Sequence, residues 1–433
     1  MIELEESSSP IRAFAVGIQE DPNTLAQASE HLRELLRLLE TMGATTVGQL
    51  MAKVNTPNSK LYLGSGKSAE ILDEAQNIEA EILVFDSELS PTHQRNWEKY
   101  AGIPVLDRQQ VIIEIFSQRA QTKEARLQVE LAQLEYNLPR LTRAWTHLSR
   151  QRGGARGNRG KGETQLEMDR RMTEKRISKI KDELKTVRKQ RATLRKGRES
   201  IPVPTAALVG YTNAGKSSLL KALTQAEVFI EDKLFATLDP TTRRFELAGG
   251  NSILLTDTVG FIRKLPHGLI DAFQATLEET LRSDVLIHLL DSSDPEVLDQ
   301  YKTTQEVLKE IGAQDIPRIL VFNKIDLSEP SALDWLRARF PEALFVSTLT
   351  QEGLGQMGIG LSSFLDSLMT QVSLLLPYSR EDIAALCHRQ GSIQSKVYDE
   401  QGIRIEARIP ARFRQVLEEF EIDLLEMRGT SGV

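Results

Sequence analysis

A chain of 433 residues with 40% hydrophobic composition is too long for one ordinary core, so two to four domains are expected. Its single cysteine, Cys387, excludes an internal disulfide. The acidic start Met1-Ile-Glu-Leu-Glu-Glu6 is unlike a signal peptide, and no apolar run approaches the roughly 20 residues of a membrane helix, so a cytosolic protein with no membrane span is expected.

The net charge of −7 argues against nucleic acid only if the charge is evenly spread, and it is not. Residues 139–198 hold 20 Lys and Arg against 6 Asp and Glu, which is +14; the rest holds 34 against 55, which is −21. One strongly basic segment is set inside an acidic protein.

From Ile11 to about Gln118, short apolar runs alternate with helical spacing. Phe14–Ile18, Ile82–Phe85 and Ile103–Leu106 read as strands, and Leu25, Ala28, Leu32, Leu35, Leu36 and Leu39 fall on one helical face. The pattern predicts a small α/β domain over residues 1–120 with a largely parallel sheet. Gly64-Ser-Gly-Lys67 is too short for a phosphate loop and is read as a strand-to-helix turn.

Residues 121–199 are predicted to be a basic helical hairpin. Leu127, Leu131, Leu134, Leu138, Leu141, Trp145 and Leu148 recur at steps of four and three, and Ile177, Ile180, Leu184, Val187 and Leu194 repeat the seam, interrupted by Arg191. The two helices should pack antiparallel. Between them, residues 150–162 hold five glycines and five cations, Arg150, Arg152, Arg156, Arg159 and Lys161, with no acid before Glu163. A solvated linker explains the glycines. Contact with a nucleic-acid backbone explains why positive charge gathers at the tip and continues along the second helix, since each cation that meets a phosphate releases a condensed counterion.

Pro202 and Pro204 precede the next domain, expected over residues 200–370. Ala207-Leu-Val209 leads like a strand into Gly210, Tyr211, Thr212, Asn213, Ala214, Gly215, Lys216 and Ser217, and Ser218–Leu223 leaves like a helix. This is a P-loop in its proper context: glycines let backbone N–H groups face phosphate oxygens, and the following helix adds its positive end. Lys216 would reach the β- and γ-phosphates and Ser217 would ligate Mg2+. After the strand Ile253–Leu255 come Asp257, Thr258, Val259 and Gly260, where such a domain keeps its Mg2+-linked aspartate and the glycine that meets the γ-phosphate. Between these motifs lie Phe235, Ala236, Thr237, Leu238 and Asp239; Thr237 is a candidate switch threonine, and spacing alone does not choose it over Thr241 or Thr242.

Asn323, Lys324, Ile325 and Asp326 end the strand Arg318–Phe322, where a base-recognition loop belongs. Asp326 can accept two hydrogen bonds from guanine N1–H and the exocyclic amine, a pair adenine does not offer. Lys324 can lie over the base, and Asn323 can tie the loop back to the P-loop. Ser347 and Thr348, after Leu344–Val346, would bring a backbone N–H to the guanine carbonyl. The tail, residues 371–433, reads as a small βαββα unit suited to docking. The predicted class is therefore α/β and multidomain: an N-terminal α/β domain with a long antiparallel helical hairpin, a P-loop GTPase domain with a mixed sheet and helices on both faces, and a small C-terminal α+β domain.

Together these residues resemble the HflX-type GTPases, of the translation-factor-related class. The resemblance rests on Val129-Glu-Leu-Ala-Gln-Leu134, Leu138-Pro-Arg-Leu141, Gly162-Glu-Thr-Gln-Leu-Glu167 with Asp169-Arg-Arg171, the P-loop, Phe235–Asp239, and Asp257-Thr-Val-Gly-Phe-Ile-Arg-Lys-Leu-Pro266. It implies GTP hydrolysis to GDP coupled to the large ribosomal subunit, with the N-terminal domain and hairpin reaching its rRNA and with a role in splitting or rescuing stalled ribosomes. It also implies Thr237 as the switch threonine and Ser217 with Thr237 as the Mg2+ ligands. RNA, and not DNA, becomes the expected partner of the cations, and a monomer is expected. Two positions depart from the family's pattern: Lys161 stands between Gly160 and Gly162 where proline is usual, and Thr348 stands where alanine is usual.

Lys216, the P-loop amides, Mg2+ and Thr237 can supply most of what phosphoryl transfer needs. The water-orienting glutamine of many GTPases is replaced by Phe261, which predicts slow hydrolysis alone and faster hydrolysis with a partner. Asn213 suggests a K+ ion in place of an arginine finger, an idea removed if exchanging K+ for Na+ leaves the rate unchanged. A regulatory GTPase with a protein effector and a nucleotide-driven RNA-remodelling enzyme are the alternatives. The six histidines form no ligand spacing with Cys387, so no structural zinc is expected.

Overall fold

The computed structural model describes residues 10–20, 24–141, 159–196, 203–224, 234–247, 252–263, 274–410 and 413–422. They divide into two compact units. One comprises Met1–Val187 with Phe229–Asp239 and Val259–Leu277; the other comprises Arg188–Val228, Pro240–Thr258 and Glu278–Val433. Two stretches of the sequence expected for the P-loop domain thus fold with the N-terminal unit.

The first unit is built on a four-stranded sheet, every pairing parallel, in the order β2-β1-β3-β4. Strand β1 (Arg12–Glu20) is central and its apolar run is buried over six consecutive residues, as expected of a strand covered on both faces. Helix α1 (Leu25–Met42) starts at a capping box between Thr24 and Gln27 and stops at Gly43, whose φ of 91° suits glycine. Strand β2 (Thr45–Val54), which the sequence pattern does not suggest, forms one edge; only Leu50, Ala52 and Val54 in it are buried. Gly64 is the N-cap of α2 (Ser65–Asn77), so Gly64–Lys67 does open a helix. Strand β3 (Ile82–Phe85) leads to α3 (Pro91–Ala101), capped by Ser90, and its Trp97 is fully buried, with its indole N–H donating to the Leu61 carbonyl at 2.6 Å. Strand β4 (Val105–Asp107) passes directly into α4 (Arg108–Arg119).

Helix α5 (Lys123–Asn137) is shorter than the leucine spacing suggests. Leu138–Arg140 form a 3-10 turn, and Trp145 and Leu148 lie outside the described residues. Pro139 has no N–H to continue the helix, and Arg140 folds back: it donates to the Gln94 side chain, the Tyr136 carbonyl and the Leu89 carbonyl at 2.8–2.9 Å, and its guanidinium lies 3.5 Å from the Tyr136 ring centroid. Helix α6 (Arg159–Lys196) begins inside the stretch expected to be the glycine-rich loop, so Gly160, Lys161 and Gly162 belong to its first turn. The seam joins α5 and α6 through buried Leu127, Leu131, Ile180 and Leu184, with Leu134, Ile177 and Val187 around them. Arg176 holds Glu130 in a two-point pair at 2.7 and 2.9 Å along its edge.

The second unit holds a six-stranded sheet in the order β10-β9-β8-β5-β7-β6. Its strands are β5 (Thr205–Gly210), β6 (Thr241–Glu246), β7 (Ser252–Asp257), β8 (Val285–Asp291), β9 (Arg318–Asn323) and β10 (Leu344–Phe345). All pair in parallel except β6 with β7, which makes the sheet mixed. Helices α7 (Lys216–Thr224), α9 (Val297–Glu310), α10 (Pro330–Arg339) and α11 (Leu354–Ser367) complete it, while the division between the units falls within α8 (Gln274–Arg282), after Leu277. Leu219 and Leu220 of α7 and Met357 and Leu361 of α11 pack on one sheet face; Val297 of α9 and Leu336 of α10 pack with Leu290 and Phe322 on the other.

A three-stranded antiparallel sheet follows α11, of β11 (Met369–Leu376), β12 (Ser392–Asp399) and β13 (Gly402–Pro410) in the order β11-β13-β12. Helices α12 (Glu381–Gln390) and α13 (Arg414–Leu417) give it the βαββα order, around a core that includes Leu374, Ile405 and Cys387. Among the described residues no helix is long and apolar enough to cross a membrane.

Candidate nucleotide site

The turn between β5 and α7 demands its glycines. Gly210 has a φ of 151°, and a Cβ there would sit 2.2 Å from the Leu289 carbonyl oxygen of the neighbouring strand. Gly215 has a φ of 92°, and a Cβ would meet the Asn323 side-chain nitrogen at 2.3 Å. Asn213 takes a left-handed φ of 61°, which a short polar side chain tolerates better than a bulky one. The result is a tight backbone loop ahead of the first turn of α7, the geometry that collects N–H groups for an anion.

Lys216 opens α7 and bends back over the loop, donating to the Gly210 and Tyr211 carbonyls at 3.2 and 2.8 Å. Burial lowers its pKa to about 8, with the nearby Asp257 carboxylate opposing the shift. A polyanion in the loop would relieve that cost by giving the ammonium a counter-charge. Ser217 donates to Asp257 Oδ2 at 2.6 Å, joining the first turn of α7 to the end of β7. Thr258 is buried, and its hydroxyl donates to the Leu208 carbonyl at 2.6 Å.

A second cluster closes the other side of the loop. Asn323, fully buried at the end of β9, donates to the Ala214 carbonyl at 3.0 Å and accepts from the Thr348 N–H at 3.1 Å, so one side chain ties together the P-loop, the Asn-Lys-Ile-Asp turn and the loop after β10. Of the pair Ser347 and Thr348, expected to bring a backbone N–H to the guanine carbonyl, the Thr348 N–H is engaged by Asn323. Ser347 is buried, its hydroxyl accepting from the Thr350 N–H at 3.0 Å. Ile325 is buried while Asp326 is exposed in a 3-10 turn over Ile325–Leu327, and Lys324 has a left-handed φ of 62°.

The residues expected between these motifs belong to the first unit. Leu234 N–H donates to the Thr41 hydroxyl at 3.2 Å, and the Phe235 ring lies 4.5 Å from that of Phe116, with Phe235 at a φ of 56°. Ala236 and Thr237 are half-buried and Leu238 is buried. Asp239 accepts from the Thr122 hydroxyl at 2.6 Å and its N–H at 3.2 Å, at the N-cap of α5. Thr241 and Thr242 are taken into β6, where Thr242 pairs with Thr256 at 2.9 Å. After Val259 and Gly260, Phe261 and Ile262 are buried, and Arg263 meets Asp86 at 3.4 Å and Glu34 at 3.8 Å. Arg108, itself almost fully buried, pairs with the same two carboxylates. Arg263 and its partners carry no signal in the sequence, because their meeting depends on tertiary contact.

Arg150, Arg152 and Arg156 lie outside the described residues. Arg159 and Lys161 are in the first turn of α6.

A phosphate-type loop between β5 and α7, an aspartate closing the parallel strand β7 and an Asn-Lys-Ile-Asp turn tied to the loop by one asparagine define a P-loop GTPase fold. Three family models match in succession: "GTP-binding GTPase N-terminal" over residues 29–117, "GTP-binding GTPase Middle Region" over 119–198 and "50S ribosome-binding GTPase" over 205–324. The chain belongs to the HflX family of GTPases. It is 44% identical to GTPase HflX of Akkermansia muciniphila over 98% of this chain and 100% of that one, and 41% identical to GTPase HflX of Escherichia coli over 88% and 90%. Among solved structures, a GTP-binding protein from Sulfolobus solfataricus in complex with GDP is 26% identical over 83% of this chain and 99% of that one, with a TM-score of 0.44.

Proposed function

We propose that this protein binds GTP and GDP at the loop Gly210–Ser217, hydrolyses GTP, and acts in the cytoplasm on the large ribosomal subunit, splitting or rescuing stalled ribosomes. The observation that carries the nucleotide reading is the bridge made by Asn323. By holding Ala214 and Thr348 at once, it fixes a phosphate-type loop and a base-recognition turn at one separation, which suits a single nucleotide spanning both. Asp326, exposed beside it, then reads guanine through N1–H and the exocyclic amine.

Lys216 leaves the backbone carbonyls for the β- and γ-phosphates, and the loop amides take the remaining oxygens. The Ser217 hydroxyl and the Asp257 carboxylate, 2.6 Å apart, are hard oxygen donors of the kind Mg2+ prefers. Ser217 and, on the family resemblance, Thr237 would hold the ion, and the Asp257 carboxylate would orient the Ser217 hydroxyl. When bound, the ion supplies charge neutralisation at the phosphates. Asn213 would add a K+ ligand, which exchanging K+ for Na+ in the hydrolysis assay tests.

Phe261 can neither accept nor donate a hydrogen bond, so the attacking water needs an orienting group from elsewhere, and hydrolysis is slow until a partner arrives. The segments carrying Thr237 and Phe261 cluster with the N-terminal unit, so a partner docked there can reorder them. The ribosomal partner is supported by the basic stretch 139–198 and by the family model for 50S ribosome-binding GTPases over residues 205–324.

Asp326→Asn tests the nucleotide reading. Losing two hydrogen bonds to a charged acceptor should weaken GDP binding on the order of 10²-fold and favour xanthine nucleotides, whose base carries a carbonyl in place of the amine. Unchanged selectivity for GDP over XDP removes the assignment.

A further inference from the structure

The Asn-Lys-Ile-Asp turn is mounted on the end of β8. Asp291 and Asn323 close β8 and β9 in register. Ser292 donates twice to the Asn323 carbonyl, from its N–H at 2.9 Å and its hydroxyl at 2.7 Å, and that hydroxyl also lies 2.7 Å from the Ser328 hydroxyl at the far side of the turn. Asp291 uses its two oxygens differently. Oδ1 accepts from the Ser293 N–H at 3.0 Å and hydroxyl at 2.6 Å, which fixes the carboxylate; Oδ2 faces Lys324 Nζ at 2.7 Å. Both side chains are largely shielded, with 14% of Asp291 and 23% of Lys324 exposed, so solvent screens the pair less than an ordinary surface ion pair.

Lys324 is therefore held at both ends. Its backbone is left-handed, at φ 62° and ψ 35°, a conformation uncommon for a lysine, and its ammonium is anchored on Asp291. A free lysine stem loses much rotamer freedom when ordered. Here it is ordered before any ligand arrives, one residue before Ile325 and two before Asp326.

We propose that Asp291 is a positioning residue for guanine recognition: by fixing the Lys324 ammonium it stretches the Lys324 stem into a preformed wall for the base, whose edge Asp326 reads. The proposal rests on the guanine reading of the Asn323–Asp326 turn. On this proposal the ion pair is kept when the nucleotide binds, so removing the charge on Asp291 should act on the base through Lys324. Asp291→Asn keeps an acceptor for Ser293 and replaces the oxygen facing the Lys324 ammonium with an amide donor, which releases the ammonium.

The test is a double-mutant cycle on the full chain with Asp291→Asn, Lys324→Met and the two combined, read by titration of a fluorescent GDP and by Michaelis analysis of GTP hydrolysis. Asp291→Asn should weaken GDP about tenfold, the size expected for losing one charge-assisted contact, with the penalty on KM and not on kcat. The double variant should bind no more weakly than Lys324→Met alone. GDP affinity within twofold of the parent in Asp291→Asn, or penalties that multiply in the double variant as a general loosening of the fold would make them, overturns the proposal. A parent protein that binds GDP no better than ADP overturns the guanine reading beneath it, an outcome distinct from either.

Discussion

His288 shows how the fold pays at the residue scale for a polar group in the central sheet. It is fully buried in β8, opposite Val209 of β5, and its ring stacks on Tyr301 at 5.3 Å. Neither ring nitrogen has a hydrogen-bond partner among the described residues. Burial, with the charges of Arg318 and Lys216, lowers its pKa to about 3, so the folded protein keeps it neutral. The unfolded chain takes up a proton below about pH 6.5 while the folded one does not, so stability is lost as pH falls from there towards 3. At pH 5 the cost is about 2 kcal/mol. His288→Leu should therefore narrow the gap in unfolding midpoint between pH 7.5 and pH 5, and a gap unchanged by the substitution would place the acid sensitivity elsewhere. At this scale the sequence is most legible where chemistry is local. Gly210, Gly215, Lys216 and Ser217 are recognisable from spacing because one turn must hold them all, and Asn323 is recognisable from the Asn-Lys-Ile-Asp string at the end of an apolar strand. Asp291, Ser292 and Arg263 are not, because their roles arise from strand register and tertiary pairing.

Elements were legible in proportion to how completely they are buried on one pattern. The central strand β1 and helix α1 announce themselves by an apolar run and by helical periodicity. The edge strand β2 mixes Thr, Gln, Lys and Gly with few buried residues and gives no such signal. The leucine spacing that continues past Leu138 overrides neither Pro139 nor the anchoring of Arg140, and α5 stops at Asn137. The seam itself, Leu127 and Leu131 against Ile180 and Leu184, was readable from the heptad steps. For the tip, neutralising Arg152, Arg156, Arg159 and Lys161 together should weaken binding to the large subunit, lower the slope of log affinity against log salt by up to about 3 to 4, and leave GDP affinity unchanged. An unaltered salt slope would identify the segment as a solvated linker.

At the scale of the whole molecule, the division into units was the least legible feature. Contiguity in sequence suggests one domain over residues 200–370, but Phe229–Asp239 and Val259–Leu277 cluster with the N-terminal unit, through contacts such as Phe235 with Phe116 and Asp239 with Thr122. Such contacts join residues more than 100 positions apart, and no local pattern encodes them. They make the segments that follow the P-loop part of the N-terminal unit, and the basic stretch 139–198 is the proposed contact with RNA. Nucleotide state and ribosome binding should therefore be coupled. The most direct measurement is co-sedimentation with purified large ribosomal subunits, with the protein loaded with a non-hydrolysable GTP analogue or with GDP. The GTP-analogue form should pellet with the subunits and the GDP form should largely remain in the supernatant; equal recovery in the two states, or none in either, would contradict a GTP-controlled action on the ribosome.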